Sequence, residues 1–281
     1  MSTKLKALLA TGRVSNLPTV WCNCLVAMLL VLTSTNVGYL DVSIAVFIIA
    51  SCAYVGGCFL GDAFDVEFDK KHKPDRPIPS GILNKNVVHW LAISLLFIPY
   101  YFLNPDSNRY LYLALFGVIV LYASLHKKTL LLGLPLIGLC RFFLIIFAAG
   151  TITETPIILY ASAVCIYTIA FASVARTESS DSPITWRKLL RYTMLALPFT
   201  IIITNPTFQI QTLVAIAIYA IWLIYAFSFI DTNKGNYVSK CLAGFCLLDA
   251  CFIAHYGWEW LLICIILFLL SLSLQKIAPA T

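Results

Sequence analysis

Long apolar runs separated by short polar segments make up most of the chain. Each run approaches the length of about 20 residues with which an α-helix crosses a bilayer. The ten candidate runs are residues 16–33, 42–61, 87–103, 110–125, 133–150, 156–175, 189–204, 210–230, 238–256 and 258–274. The last two meet at Gly257 almost without a loop, so nine spans with one broken or re-entrant segment are the alternative. The pattern predicts an all-α integral membrane protein, a single bundle of nine or ten transmembrane helices in which residues 1–281 form one polytopic domain.

The basic residues follow the same division into runs and loops. Lysine and arginine concentrate at the chain ends and in every second loop, whereas Arg109 alone lies in a loop on the other side and Arg141 lies inside a run. Loops rich in lysine and arginine stay on the cytoplasmic side of a membrane. We therefore expect the N-terminus and the even-numbered loops in the cytoplasm, or on the equivalent face of an organelle.

The composition excludes several classes of protein. Hydrophobic residues make up 60% of the chain and charged residues 11%, against about 45–50% and about 25% in soluble domains. An ordinary soluble enzyme and a disordered chain are both excluded by this balance. The net charge of +6 is divided among many loops, so nucleic acid is not an expected partner. The ten cysteines lie inside or at the ends of apolar runs, where free cysteine packs as a small hydrophobe.

Three aspartates stand close together at the end of the second run, in the sequence GDAFDVEFD. In one α-helix, Asp62, Asp65 and Asp69 would share an arc of about 60° on one face, and Glu67 would point elsewhere. Like charges this close repel one another and are costly to desolvate. A divalent cation such as Mg²⁺ removes that cost. The alternative is three hydrated side chains at a helix end, and the cluster alone does not decide between the two.

The segment that follows, KKHKPDRPIPSG, favours the interpretation of the aspartates as a metal-binding site. It places Lys73 and Arg76 in a loop stiffened by prolines, directly after the carboxylates. Carboxylates for a metal beside basic groups for phosphate oxygens are what a metal–diphosphate complex needs. Positive-inside charge would explain the basic residues but not the acidic cluster beside them. Two further even-numbered loops on the same side carry similar residues, namely Tyr122, His126, Lys127 and Lys128 in the fourth and Arg176, Glu178 and Asp181 in the sixth.

These motifs resemble those of the UbiA superfamily of intramembrane prenyltransferases. The first motif of that family, N-D-x-x-D-x-x-x-D followed by K-x-D-R-P, matches residues 61–69 and 73–77, with Gly61 in place of asparagine. Weaker likenesses are Arg13 with residues 16–19, the loop from Tyr122 to Lys128, and Gly138-x-Cys140-Arg141. The family's second motif, D-x-x-x-D, is replaced by Arg176-x-Glu178-x-x-Asp181.

The resemblance implies Mg²⁺ ions that bridge a prenyl diphosphate between the two motifs. The metal ligands that it implies are Asp62, Asp65, Asp69, Glu178 and Asp181. The diphosphate-binding residues that it implies are Lys73, Arg76, Lys127, Arg141 and Arg176. Among all of these, the residues that would take part directly in catalysis are Asp62, Asp65, Asp69, Arg76 and Glu178. Loss of the diphosphate would leave an allylic cation, which an apolar bundle protects from water and aromatic faces stabilise.

Two charged residues fall within predicted spans, where charge is costly and normally faces an interior cavity or a partner. Arg141 is expected to bind diphosphate or to pair with a carboxylate of the first motif. Asp249 has two interpretations: it orients an acceptor, or it pairs with a polar group between helices.

The sequence thus predicts a Mg²⁺-dependent intramembrane prenyltransferase that moves an isoprenyl group from a prenyl diphosphate to a small acceptor, with aromatic compounds among the candidates. A membrane terpene cyclase of the same fold, which would use the cation internally, is the alternative that Gly61 and the altered second motif keep open. A transporter or lipid-binding membrane protein is less favoured, because transporter sites lie near the midplane and these acidic clusters lie at span ends. The expected partners are the prenyl diphosphate, the acceptor and the lipid bilayer.

Overall fold

The structure is a computed structural model that describes residues 2–35, 44–103, 107–127, 130–176, 184–203 and 209–278. Every regular element of these residues is helical, which confirms the all-α prediction. The twelve α-helices found there are α1 Thr3–Thr11, α2 Leu17–Thr35, α3 Ile44–Phe64, α4 Val66–His72, α5 Lys85–Phe102, α6 Ser107–Leu125, α7 Leu130–Ala149, α8 Thr155–Arg176, α9 Ile184–Ala196, α10 Ile210–Phe227, α11 Lys234–Ile253 and α12 Trp258–Gln275.

Eight helical stretches of the described residues have the length and composition to cross a membrane, so the chain is a multi-pass membrane protein. They are Val14–Leu32, Ile44–Phe64, Asn108–Leu125, Leu132–Ala149, Thr155–Val174, Ile210–Phe227, Lys234–Tyr256 and Trp258–Gln275. The predicted count of nine or ten is not confirmed, because two predicted runs differ from these eight. The run 87–103 corresponds to α5, Lys85–Phe102, in which residues such as Lys85 and Pro99 lower the mean hydropathy. The described part of the run 189–204 is divided between α9, a helix rich in basic residues, and a 3₁₀ helix, Leu197–Ile203.

Helices α2 and α11 form the centre of the bundle. Every residue from Ala243 to Ala254 is buried, and α2 is the next most enclosed of the eight spans. Helix α11 packs against α2, α8, α10 and α12, and α2 also packs against α3 and α7. In a bilayer the outer helices face lipid, so polar side chains on α2 and α11 are enclosed by protein.

The helix that carries the three aspartates is interrupted at one residue, which corrects the prediction of a single continuous helix. Helix α3 ends at Phe64 and α4 begins at Val66, with Asp65 between them. The helical hydrogen-bond pattern nevertheless continues across the interruption, because the Asp65 N–H donates to the Gly61 carbonyl at 2.9 Å and the Asp69 N–H to the Asp65 carbonyl at 2.8 Å. The aspartates therefore keep the helical spacing that brings them to one side.

The loop after α4 turns back over the aspartates. Backbone hydrogen bonds join Lys73 N to Asp69 O, Arg76 N to Lys73 O and Ser80 N to Arg76 O. Gly81 then adopts a positive φ of 79°, a conformation that glycine enters without steric cost. These turns bring the side chain of Arg76 to the end of α3, which is what positions the candidate site.

Candidate active site

The three motif aspartates lie at one end of the bundle, where α2 begins and α3 and α6 end. Their side chains are largely buried: Asp69 is 1% exposed, Asp65 9% and Asp62 12%. Glu67, the acidic residue expected to point elsewhere, is 77% exposed and pairs with Lys70. The hydrogen bond from Lys70 lowers the pKa of Glu67. The sequence thus separated the three enclosed carboxylates correctly from the solvated one.

Arg13 and Arg76 hold the first and third of these carboxylates. Arg13 Nη2 lies 3.1 Å from Asp62 Oδ1, and the charge of Asp62 raises the pKa of Arg13 well above its usual value. Arg76 Nη1 donates to Asp69 Oδ2 at 2.7 Å and lies 3.6 Å from Asp62 Oδ1. One guanidinium therefore joins two carboxylates that are seven residues apart in the sequence.

The loop after α6 supplies the partners of Asp65. His126 Nε2 lies 3.0 Å from Asp65 Oδ2, and its Nδ1 lies 2.9 Å from the Tyr122 carbonyl oxygen. The Lys127 ammonium lies 3.6 Å from Asp65 Oδ2 and 3.9 Å from Asp69 Oδ1. It also stands 3.9 Å from the centre of the Phe68 ring. Three segments far apart in sequence thus meet at this end of the bundle.

The donor types of this cluster fit a magnesium ion, which prefers carboxylate oxygens. Asp69 Oδ1 is buried and accepts no hydrogen bond from any described residue, so it can take a ligand. In the described ranges, however, no three histidine, cysteine, aspartate or glutamate side chains are arranged as a metal-binding group. The carboxylates are instead oriented toward basic side chains.

The remaining predicted site residues differ in how far the structure places them. Lys73 is exposed, and it makes no ion pair with any other described residue. Arg176 is the last residue of α8, and its side chain is outside the description. Glu178 and Asp181 lie outside the described residues. Their roles stay predictions.

Arg141 lies deeper in the bundle, within a buried polar network. Its Nη1 donates to Asn23 Oδ1 at 2.7 Å and its Nη2 to Thr19 Oγ1 at 3.0 Å. The guanidinium carbon lies 4.4 Å from the Phe245 ring centre and 5.5 Å from that of Tyr54. Tyr54 precedes Asp62 by eight residues on α3, or about 12 Å of helix. The expected contact with a first-motif carboxylate is therefore replaced by contacts with α2, and diphosphate binding by Arg141 stays a prediction.

Asp249 completes this network from α11. Its carboxylate accepts hydrogen bonds from Asn23 Nδ2 at 2.9 and 3.0 Å and from the Tyr160 hydroxyl at 2.8 Å. A carboxylate only accepts hydrogen bonds, so it directs the amide nitrogen of Asn23 toward itself and the amide oxygen toward Arg141. Of the two interpretations of Asp249, pairing between helices is the one that these contacts support.

Sequence reasoning left several of these residues out of the candidate site. Arg13 and His126 stand in segments noted for their likeness to the family, but they were not assigned as ligands of the aspartates. Asn23 was missed entirely, although an amide inside an apolar run is itself a signal for an interior contact. Their partners lie 49, 61 and 226 residues away in the chain, which no local pattern reveals.

Comparison with known proteins gives a family match over most of the chain. The model described as the UbiA prenyltransferase family matches residues 17–246. That range contains the first motif, the loop after α6 and the buried network except for Asp249.

Curated relatives match over shorter stretches. A digeranylgeranylglyceryl phosphate synthase of Ignicoccus hospitalis is 41% identical over 88 residues, which cover 31% of this chain and 28% of that protein. One of Sulfurisphaera tokodaii is 36% identical over 99 residues, or 34% of this chain and 35% of that protein. The matched stretches thus span about a third of these relatives or less.

A solved structure shares the fold. It is described as "Structural and mechanistic insights into the biosynthesis of Digeranylgeranylglyceryl phosphate synthase in membranes". It aligns with a TM-score of 0.59 and 22% identity, covering 94% of this chain and all of that chain. At this identity the likeness speaks for the helical architecture alone.

Proposed function

Since the chain belongs to the UbiA prenyltransferase family, we propose that it is a Mg²⁺-dependent intramembrane prenyltransferase. It moves an isoprenyl group from a prenyl diphosphate to a small acceptor. The observation that carries this proposal is the meeting of Asp62, Asp65 and Asp69 with Arg13, Arg76 and Lys127 at one end of an apolar bundle. Metal-binding and phosphate-binding groups are there side by side.

Mg²⁺, when bound, supplies positive charge that neutralises the diphosphate and makes it a better leaving group. Asp62, Asp65 and Asp69 would hold it from the first motif. Glu178 and Asp181 are the proposed ligands from the altered second motif, as the sequence predicts.

The basic side chains bind the diphosphate itself. Arg76 and Lys127 are the proposed principal donors, because charge-assisted hydrogen bonds to phosphate oxygens are short and strong. Lys73 and Arg176 are proposed to assist at the surface. Arg141 lies deeper, so its proposed contact is with the part of the diphosphate or substrate that reaches farthest into the bundle.

The interior of the bundle protects the reacting carbon. As the C–O bond to the diphosphate breaks, the allylic group becomes cationic, and water would capture it. The spans enclose buried aromatic side chains, among them Tyr160, Tyr167 and Phe245. Aromatic ring faces along the path of the prenyl group would stabilise the cation, while the apolar walls keep water away.

The acceptor is proposed by analogy with the curated relatives. Their name identifies digeranylgeranylglyceryl phosphate as what they make. A lipid that carries a glyceryl phosphate group is therefore the first acceptor to test for this chain, and a small aromatic compound is the second.

The test is turnover by the purified protein in detergent with a panel of prenyl diphosphates. Diphosphate release and organic products are followed by mass spectrometry, with and without Mg²⁺ and with each acceptor class. We expect a prenylated acceptor that forms only with Mg²⁺.

Three other outcomes would contradict this proposal. Release of a cyclic hydrocarbon or terpene alcohol without any acceptor would identify a membrane terpene cyclase. A prenylated product at the same rate in excess chelator would refute the Mg²⁺ requirement. Neither binding nor release with any substrate of the panel would favour a transporter or lipid-binding protein.

A further inference from the structure

The basic side chains already neutralise the three carboxylates of the first motif. Arg13 pairs with Asp62, Arg76 with Asp62 and Asp69, and Lys127 with Asp65 and Asp69. Leaving aside the imidazole of His126, which lies 3.0 Å from Asp65 Oδ2, three formal negative charges face three formal positive charges in a largely buried cluster. A divalent cation that entered this cluster alone would leave it with an excess positive charge, which is costly where the dielectric constant is low.

Lys127 holds the position that a metal would need. Its ammonium lies between Asp65 Oδ2 and Asp69 Oδ1, at 3.6 and 3.9 Å. These are oxygens of the two most buried carboxylates of this cluster, and Asp69 Oδ1 accepts no hydrogen bond from a described residue. A metal held by Asp65 and Asp69 would need these oxygens, so it would compete with the Lys127 ammonium at both carboxylates and with His126 Nε2 at Asp65.

The Lys127 side chain is also the member of the cluster best suited to move. It is 33% exposed, whereas the Asp69 side chain beneath it is 1% exposed. A lysine ammonium is a compact charge on a flexible stem, whereas the guanidinium of Arg76 is a rigid planar fork. Of its contacts, the Phe68 ring 3.9 Å away offers only a weak cation–π interaction at this partly exposed position.

We propose that Lys127 is a placeholder that occupies the metal position between Asp65 and Asp69 in the empty site and turns to the diphosphate when metal and diphosphate enter together. This inference rests on the proposed function, because it assumes a metal–diphosphate ligand. It adds that metal and diphosphate each strengthen the binding of the other, since linkage between two ligands is reciprocal. The empty site thereby rejects free divalent cations.

The experiment measures Mn²⁺ binding to the purified full chain by electron paramagnetic resonance, with and without inorganic diphosphate. Wild-type protein is expected to bind Mn²⁺ weakly alone and about tenfold or more tightly with diphosphate, within the usual range of coupling. Lys127→Met is expected to bind Mn²⁺ alone about tenfold more tightly than wild type, and to lose most of the gain from diphosphate. Lys127→Gln should behave in the same way, and it serves if the methionine variant does not fold.

Two control variants accompany these measurements. Lys71→Met removes an exposed lysine of α4 and should leave both affinities unchanged. Lys127→Arg keeps the positive charge and should retain weak binding of Mn²⁺ alone.

Two different results would contradict the placeholder role of Lys127 and the metal dependence of the proposed function. Unchanged or weaker binding of Mn²⁺ alone by both uncharged variants would overturn the placeholder role. If wild-type protein bound no Mn²⁺ even with diphosphate, the metal dependence of the proposed function would fail, and this inference with it.

Discussion

Asp69 is the residue on which the candidate site depends most directly. Its carboxylate is almost fully buried, it holds Arg76 through one oxygen, and its other oxygen accepts no hydrogen bond from the described residues. Burying a charged group is costly unless it is paired, so such a residue is rarely placed for stability alone.

We predict that Asp69→Asn lowers kcat/KM for the prenyl diphosphate by about 100-fold or more, as the loss of one electrostatic contact at a reacting centre does. The shape of the side chain is kept, and Arg76 is partly exposed and retains Asp62 as a partner, so the melting temperature in detergent should change little. The matched control is Glu67→Gln, which alters an exposed carboxylate of the same motif and should keep wild-type turnover. Wild-type rates in a folded Asp69→Asn protein would refute the metal assignment.

Asp249 gives a second prediction, this time for stability. Asp249→Ala removes the acceptor of Asn23 and Tyr160, and Asn23 is in turn the acceptor of Arg141. Each buried donor left without an acceptor costs about 1–3 kcal/mol, so the loss for the two donors should be about 2–6 kcal/mol of unfolding free energy. The control is Cys251→Ala, another fully buried position of α11, which should cost about 1 kcal/mol. Equal losses in the two variants would show that the network contributes no more than ordinary packing.

At the scale of single residues, the clustering of the motif side chains could be predicted from the sequence. Their hydrogen-bond and ion-pair partners from distant segments could not. Spacing on a helix placed Asp62, Asp65 and Asp69 together because that relation is local. The pairing of Arg141 with Asn23, 118 residues away, depends on which helices become neighbours. For that reason the sequence predicted an interior role for Arg141 but did not identify its partners on α2, and its binding of diphosphate stays a prediction.

At the scale of elements, the lengths of the apolar runs predicted most of the helices. They did not predict the irregular helices. The interruption at Asp65 is invisible to periodicity because the hydrogen-bond pattern continues through it. Residues 189–204 are apolar enough to suggest a span, yet basic residues at their start place them in α9 and a following 3₁₀ helix. Hydropathy averages over a window and cannot register a change of helix type.

Close packing between α7 and α8 provides a prediction at this scale. A Cβ atom added at Gly138 would lie 2.7 Å from Ile169 Cγ1 and 2.8 Å from Cys165 Sγ. We therefore expect Gly138→Ala to destabilise the protein by about 1–3 kcal/mol, the usual cost of overpacking. Gly117→Ala in α6 is the control, because its Cβ would meet nothing within 4 Å; alanine there should be neutral or stabilising. Thermal unfolding of both variants in detergent checks this, and equal melting temperatures would contradict the tight α7–α8 contact.

At the scale of the whole molecule, the candidate site lies at one end of the bundle, the end that carries the lysine-rich loops. Orientation in the membrane therefore decides from which side the diphosphate enters. The positive-inside rule predicts that this end is cytoplasmic.

Single introduced cysteines test that orientation. Lys71→Cys lies beside the site, and Thr153→Cys lies in the exposed turn between α7 and α8 at the opposite end. In intact cells a membrane-impermeant maleimide should label Thr153→Cys alone, and in inverted vesicles it should label Lys71→Cys alone. Wild-type protein measures the background of the ten native cysteines. The reverse labelling pattern would invert the predicted topology.

The contact between Asn23 and Asp249 joins the first span to the next-to-last across 226 residues of sequence. During synthesis α2 enters the membrane long before α11 has left the ribosome. Until α11 arrives, the Asn23 amide lacks the Asp249 carboxylate that binds it in the folded protein. A polar group that lacks a partner in hydrocarbon is costly. The contact between α2 and α11 can therefore form only after α11 has been synthesised. A nascent chain that stops before α11 leaves the Asn23 amide without its Asp249 partner.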